Sequence, residues 1–135
     1  MNSERSSLVG RRVLVAEDYV ALARTIEQLL WTLGCIVIGP SPSVRRAKEL
    51  ASEGGLDCAV LDVCLLDGPV YPLASQLETT GIPCLFTTGR NDDADIPEDL
   101  RRVPTLVKPF APNEFEDSLI GLLQSRDRRQ PGAAT

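Results

Sequence analysis

Asp57-Cys58-Ala59-Val60-Leu61-Asp62 is the stretch of this 135-residue chain that decides the fold. Its four central residues are apolar, and a Gly54-Gly55 break precedes it. A short apolar run without polar alternation is typical of a parallel strand that is covered on both faces. We therefore predict a buried central strand over residues 57–62, with Asp62 at its carboxyl end.

Outward from this strand, apolar runs alternate with segments in which apolar residues recur at helical spacing. Ser43 is a suitable cap for the second helix and Pro112 a suitable start for the last one. This alternation predicts an α/β fold, a doubly wound, five-stranded parallel sheet in a flavodoxin-like three-layer sandwich, with strand order 2-1-3-4-5. The four other strands are predicted over residues 11–16, 35–38, 82–88 and 104–107.

One domain is expected over residues 11–124, because a chain of this length fits the commonest domain size. Residues 1–10 are expected to form a flexible N-terminus, and residues 125–135 a disordered tail. The segment Gly89 to Arg102 is polar and acidic, and Pro97 limits it to a single short helix.

Charge and hydropathy exclude nucleic acid and membranes as partners. The net charge of the chain is −5. An acidic chain repels nucleic acid, so none is expected as a partner. No apolar stretch is long enough to cross a bilayer, and the first residues lack the apolar segment of a secretory signal. We therefore expect a cytoplasmic protein that does not act in a membrane.

The chain contains no histidine. This excludes histidine-based catalytic triads, histidine metal ligands and a phosphohistidine. Carboxylates must therefore carry any metal site or any acidic nucleophile.

Four of the predicted strands end on residues that phosphoryl chemistry can use. They are Glu17 and Asp18 after the first strand, Asp62 after the third, Thr88 after the fourth and Lys108 after the fifth. Each alone has an ordinary explanation, such as a helix cap or a solvated lysine. Parallel strands place their carboxyl ends at one edge, so the groups should meet there. Carboxylates bind Mg²⁺ and can attack phosphorus, while hydroxyl and ammonium groups stabilise a phosphoryl group.

At these positions the chain resembles the receiver domain of two-component response regulators. The matching motifs are Val13-Leu14-Val15-Ala16-Glu17-Asp18, Val60-Leu61-Asp62, Thr88-Gly89 and Lys108-Pro109-Phe110. The resemblance extends from about Arg11 to Gln124. It implies that Asp62 accepts a phosphoryl group from a sensor histidine kinase or a phosphotransfer protein, that Thr88 turns towards this group and that Lys108 pairs with it. It also implies that Mg²⁺ is held by Glu17, Asp18, Asp62 and the backbone carbonyl of Cys64.

Some stretches are similar to a subgroup of single-domain receivers that have a Phe-Ala-Thr-Gly-Tyr loop and a shortened fourth helix. Here the loop reads Phe86-Thr87-Thr88-Gly89-Arg90, so its alanine and tyrosine are both replaced. Arg90 is either a solvated arginine or a residue that alters the lifetime of an aspartyl phosphate.

The chain also departs from ordinary receivers at Thr105, where those domains carry a tyrosine or phenylalanine. In ordinary receivers the aromatic ring at this position rotates when the threonine that corresponds to Thr88 moves. With Thr105 here, that rotation cannot occur in its familiar form. We hypothesise that the acidic loop from Asn91 to Asp99 reorganises instead, since it has few apolar anchors.

The function expected from the resemblance is a single-domain response regulator in a Mg²⁺-dependent phosphorelay. It would be a monomer or weak homodimer and would act through contact with an unknown downstream protein, not as an enzyme on a separate substrate. One alternative is an interaction module that works without phosphorylation. A Mg²⁺-dependent phosphatase with an Asp nucleophile is a poorer match, because Cys64 stands where such enzymes commonly have a second Asp. A nucleotide-binding domain would need a glycine-rich phosphate loop, which is absent.

Overall fold

The computed structural model describes residues 7–89 and 96–129, and its centre is a parallel sheet of five strands. The strand order β2-β1-β3-β4-β5 confirms the predicted doubly wound topology. The strands are β1 (Arg12–Ala16), β2 (Ile36–Ser41), β3 (Cys58–Asp62), β4 (Cys84–Thr88) and β5 (Thr105–Val107).

Helices cover both faces of the sheet and bury two apolar clusters. The helices are α1 (Val20–Thr32), α2 (Val44–Ala51), α3 (Tyr71–Thr79) and α4 (Pro112–Arg129). Side chains of α1 and α4 pack on one face, and side chains of α2 and α3 pack on the other. All five residues of β3 are buried, as its apolar sequence predicts. A 3-10 helix, Glu98–Leu100, lies in the segment from Gly89 to Arg102 predicted to hold one short helix. Among the described residues, no helix is long and apolar enough to cross a membrane.

β2 continues to Ser41, three residues past its predicted end. Pro40 is tolerated in this strand because β2 lies at the edge of the sheet, where not every backbone N–H must donate a hydrogen bond to a neighbouring strand. A register irregularity opposite β1 and a positive φ of 104° at Gly39 accommodate the extra residues.

Both predicted domain boundaries are corrected by the structure. Leu8 belongs to the stretch predicted as a flexible N-terminus, yet its side chain is fully buried in the cluster below α1 and α4. Helix α4 runs to Arg129, so its last five residues, 125–129, lie in the stretch predicted as a disordered tail. Residues 1–6 and 130–135 lie outside the described residues.

An ion-pair network explains why α4 extends so far. Asp127 accepts two hydrogen bonds from the Arg11 guanidinium, at 2.8 and 3.3 Å. Asp57 accepts from Arg126 at 3.0 Å and from the backbone N–H of Arg12 at 2.8 Å. We call these residues the amino-edge clamp, because they join the end of α4 to the amino ends of β1 and β3.

A small hairpin that the sequence did not predict follows β3. Its strands are Cys64–Leu65 and Gly68–Pro69. Asp67 in its turn accepts hydrogen bonds from the first two N–H groups of α2, Val44 at 2.7 Å and Arg45 at 3.0 Å. Ser43 caps the third, as predicted, through its side-chain oxygen. The hairpin therefore completes the N-terminus of α2, whose first N–H groups would otherwise lack partners.

We expect Asp67→Asn to reduce the loss of stability that the protein suffers in acid. The two backbone hydrogen bonds lower the pKa of Asp67 below its ordinary value of 3.8. A carboxyl with a lowered pKa stabilises the fold above its ordinary value and loses that contribution as pH falls through the folded-state value. Urea midpoints measured between neutral pH and pH 3 should therefore fall more steeply for the natural protein than for Asp67→Asn. If the urea midpoints of the two proteins fall equally with pH, the two hydrogen bonds to Asp67 do not contribute to stability.

Candidate functional site

The carboxyl ends of the strands bring the predicted site residues together. Lys108 Nζ lies 2.8 Å from Asp62 Oδ2 and 3.0 Å from Glu17 Oε1. Glu17 and Asp62 are 2% and 6% exposed, so both carboxylates are almost removed from water. Two buried carboxylates and one ammonium therefore form a compact charged cluster at the edge where the sequence placed them.

Glu17 is fixed by the backbone on both sides. Its N–H donates to Ser41 O at 2.8 Å, and its Oε2 accepts from the Tyr19 N–H at 3.1 Å. Burial raises the pKa of Glu17 to about 7, and the neighbouring Asp62 adds to this rise, while the hydrogen bond from the Tyr19 N–H and the positive charge of Lys108 oppose it. The site therefore holds a carboxylate that is costly to charge without more cation nearby.

Burial alone would lower the pKa of Lys108, but its contacts with Asp62 and Glu17 outweigh that effect and raise it. Lys108 therefore stays charged over the physiological range. Lys108 directly follows β5, and its backbone N–H donates to the carbonyl of Thr88 at the end of β4 at 2.8 Å. This bond fixes the position of Lys108.

The acidic residues fit a divalent cation. Glu17, Asp18 and Asp62 each place one carboxylate oxygen within 4.8 Å of the others. Ligands of one octahedral Mg²⁺ lie about 3 to 4 Å apart, so a small inward movement would bring all three onto one ion. The buried Glu17 Oε1 contacts Lys108 only as an ion pair and makes no aligned hydrogen bond within the described residues. This oxygen can therefore accept a cation without breaking a hydrogen bond.

Thr88 and Cys64 lie beside this cluster. Thr88 is buried at the end of β4, and its hydroxyl donates to the Gly89 carbonyl at 2.8 Å. The backbone N–H of Cys64 donates to Asp62 Oδ1 at 3.2 Å, which orients the carboxylate. That Thr88 turns towards a phosphoryl group and that the Cys64 carbonyl binds Mg²⁺ stay predictions.

The two residues predicted to modulate the site are Thr105, which the structure describes, and Arg90, which it does not. Thr105 begins β5, and its hydroxyl donates to the Val103 carbonyl at 3.3 Å. Arg90 and residues 91–95 of the acidic loop lie outside the described residues, so their predicted roles stay predictions.

The sequence prediction missed Thr87 as a feature of the site. Thr87 is the register partner of Asp62 in the sheet and is 1% exposed. Its hydroxyl has no hydrogen-bond partner among residues 7–89 and 96–129. The one signal in the sequence is that threonine replaces the alanine of the similar loop.

Thr87→Val should stabilise the protein by about 1 kcal/mol, because a buried hydroxyl without a partner costs about 1 to 3 kcal/mol. Valine keeps the shape and removes the polar atom. The free energy of unfolding in urea measures the change. Thr79→Val is the matched control, since the Thr79 hydroxyl is exposed on α3 and donates to Ser75 O at 2.8 Å. A loss of stability in Thr87→Val would show that the hydroxyl has a partner, such as a bound water.

The fold was compared with known proteins. No family model and no curated protein matches the chain. SdrG from Sphingomonas melonis Fr1 is 32% identical, with a TM-score of 0.73 over 86% of this chain and 98% of SdrG. The signal receiver domain of a modulated diguanylate cyclase from Desulfovibrio desulfuricans G20 is 25% identical, with a TM-score of 0.78 over 89% of this chain and 98% of that domain.

The response regulator PhyR from Brucella abortus is 24% identical, with a TM-score of 0.81 over 97% of this chain. The match covers 55% of PhyR, so the chain spans about half the length of that protein. The likeness to PhyR shows the shared fold.

Proposed function

Because this chain belongs to the receiver domains of response regulators, we propose that it is phosphorylated on Asp62 in a Mg²⁺-dependent phosphorelay. The single observation that supports the proposal most is the contact of Lys108 with both Asp62 and Glu17 at one edge of the sheet. An interaction module without phosphorylation would not need two buried carboxylates around an ammonium, because burying charge is unfavourable.

The proposed reaction uses the Asp62 carboxylate as the nucleophile. An oxygen of Asp62 forms a bond to phosphorus while the bond between phosphorus and the donor's imidazole nitrogen breaks. The imidazole leaves and takes up a proton. The donor is a histidine kinase or a phosphotransfer protein.

The described residues have separate parts in this step. Cys64 holds the carboxylate through its N–H. Lys108 offers its ammonium to the phosphoryl oxygens, and Thr88 offers its hydroxyl once that leaves the Gly89 carbonyl. Glu17, Asp18 and Asp62 would hold Mg²⁺, with the Cys64 carbonyl as a further ligand. A Mg²⁺ ion held there would supply positive charge to offset the charge of the transferring phosphoryl group.

Output is proposed to occur through contact with another protein, with the chain acting as a phosphoacceptor and not as an enzyme on a separate substrate. PhyR from Bartonella quintana, which has the same fold at 20% identity, is an anti-anti-sigma factor. The downstream partner of this chain stays open, and a monomer or weak homodimer in the cytoplasm remains our prediction.

The experiment that tests the function is detection of the phosphoryl adduct by intact mass. The full chain is mixed with a small-molecule phosphodonor, with and without Mg²⁺, beside Asp62→Asn. We expect one adduct that requires Mg²⁺ and is absent in the variant. If Mg²⁺ binds but neither the small donor nor a panel of histidine kinases yields an adduct, the module that works without phosphorylation is supported. If Mg²⁺ does not bind either, the proposed site is wrong.

A further inference from the structure

The face of the sheet under α2 and α3 carries the residues that a phosphorylation switch would use. Side chains two apart on a strand share a face, so Thr88 lies on the same face as Phe86. Phe86 belongs to the buried cluster that α2 and α3 cover. Thr105 is the register partner of Phe86 on β5. An aromatic side chain at position 105 would therefore lie beside Phe86 and close to Thr88, but threonine is too small to fill that role.

Tyr71 brings an aromatic ring to this face from a different element. It is the first residue of α3 and is half-buried against the same cluster. Its ring packs edge-on against Phe86, with ring centroids 5.7 Å apart and an interplanar angle of 75°. Edge-to-face pairs have a preferred geometry, so a displacement of one ring favours a displacement of the other.

Tyr71 is also joined to the phosphoacceptor through the backbone. The Val63 N–H donates to Thr87 O at 3.1 Å, and the Val70 N–H donates to Val63 O at 3.0 Å. The start of α3 is thus connected by two hydrogen bonds to the residue after Asp62 and to β4. A change at the end of β3 or β4 therefore reaches the residue that carries the ring.

Helix α3 also contacts the segment that follows β4. The Ser75 hydroxyl donates to Asp99 in the 3-10 helix at 2.9 Å. Ile96 packs against the same apolar cluster as Tyr71. Movement of the Tyr71 end of α3 would therefore act on the part of the chain that replaces an ordinary fourth helix.

We propose that Tyr71 is the positioning residue that replaces the aromatic missing from position 105. Its ring holds Phe86 and the end of β4 in place, and it shifts when the Thr88 hydroxyl leaves Gly89 for the phosphoryl group. This inference rests on the proposed function of Asp62. It differs from the family pattern because the aromatic comes from α3 and not from β5.

Fluorine NMR with 3-fluorotyrosine tests the movement directly, since the chain has only two tyrosines, Tyr19 and Tyr71. Tyr19→Phe assigns the two signals. Tyr19 is 67% exposed and adjacent to Asp18, so it serves as the internal control for Mg²⁺ binding. We expect Mg²⁺ alone to shift the Tyr19 signal and phosphorylation to shift the Tyr71 signal by more than its linewidth. In Thr88→Ala, the Tyr71 shift should disappear although the adduct still forms.

A second measurement separates positioning from simple packing. The lifetime of the phosphoryl adduct is compared in Tyr71→Leu, Tyr71→Phe, Thr88→Ala and the double variant Thr88→Ala/Tyr71→Leu. Tyr71→Leu should change the lifetime of the adduct, because it removes the ring that contacts Phe86. Tyr71→Phe keeps that ring and should have the lifetime of the natural protein. In the double variant the effects should not add, since both residues act in one unit.

The outcomes distinguish this inference from the proposed function. Intact mass on the NMR sample reports whether the adduct is present. An adduct with an unmoved Tyr71 signal, or with additive effects in the double variant, overturns the role of Tyr71 alone. If no adduct forms with any donor, the proposed function fails and this inference fails with it.

Discussion

Lys108→Ala is expected to slow phosphorylation by about 100-fold while it strengthens Mg²⁺ binding. Removing one preorganised donor of transition-state charge typically costs a factor of about 10² to 10³. The Lys108 ammonium forms ion pairs with Asp62 Oδ2 and Glu17 Oε1, so it competes with Mg²⁺ for these two oxygens. Two observables should therefore move in opposite directions in one variant, which a general loss of structure would not produce.

The rate is measured by intact mass and the affinity by titration calorimetry with Mg²⁺. Lys48→Ala is the matched control, because the chain has only these two lysines and Lys48 is exposed on α2. It removes the same charge and should leave both quantities unchanged. Phosphorylation of Lys108→Ala at the natural rate would show that the ammonium has no part in the transfer. Weaker Mg²⁺ binding in that variant would mean that Lys108 organises the carboxylates instead of competing for them.

Asp57→Ala should produce the largest loss of stability, about 2 kcal/mol in the free energy of unfolding. Breaking a buried ion pair costs about 3 to 5 kcal/mol, and partial exposure of this pair reduces that figure. Asp57 accepts from both the Arg126 guanidinium and the Arg12 N–H, so its removal leaves two donors without their partner. Urea unfolding of the full chain measures the effect.

Two variants define the origin of that loss. Asp57→Asn keeps an acceptor for the Arg12 N–H and should recover part of the stability. Glu49→Ala removes an exposed partner of Arg46. It should change the free energy of unfolding by less than about 0.5 kcal/mol, because exposed ion pairs usually contribute little. If Asp57→Ala falls within the same range as Glu49→Ala, the clamp contributes no more than an ordinary surface pair.

The parts of this fold that follow a simple periodicity could be predicted from the sequence. The apolar run of β3 indicated a strand buried on both faces, and the strand ends placed Asp62 and Lys108 at one edge. Both inferences depend on local patterns and on one general property of parallel sheets. The Ser43 cap was predictable for the same reason, since its partner lies three residues away.

Features that depend on distant partners could not be predicted. Asp67 looks like an ordinary turn residue, because the helix that it caps lies 22 to 23 positions earlier. Arg126 and Asp127 belong to a charged stretch typical of a solvated tail, and their partners Asp57 and Arg11 lie far away in the sequence. Leu8 and Val9 are the only apolar residues between Met1 and Val13, so the burial of Leu8 leaves no periodic signal. In each case a tertiary contact overrides the local pattern.

The amino-edge clamp has a consequence for how this domain can be attached to other molecules. Arg11 and Asp127 meet at 2.8 Å, so the two ends of the described fold leave the sheet at the same place. That place is the edge opposite Asp62, because Asp57 directly precedes β3 and Asp62 is its last residue. A fluorescent tag, a surface anchor or a second domain joined at Arg11 or Asp127 would therefore start at the edge opposite Asp62, away from the proposed phosphorylation site.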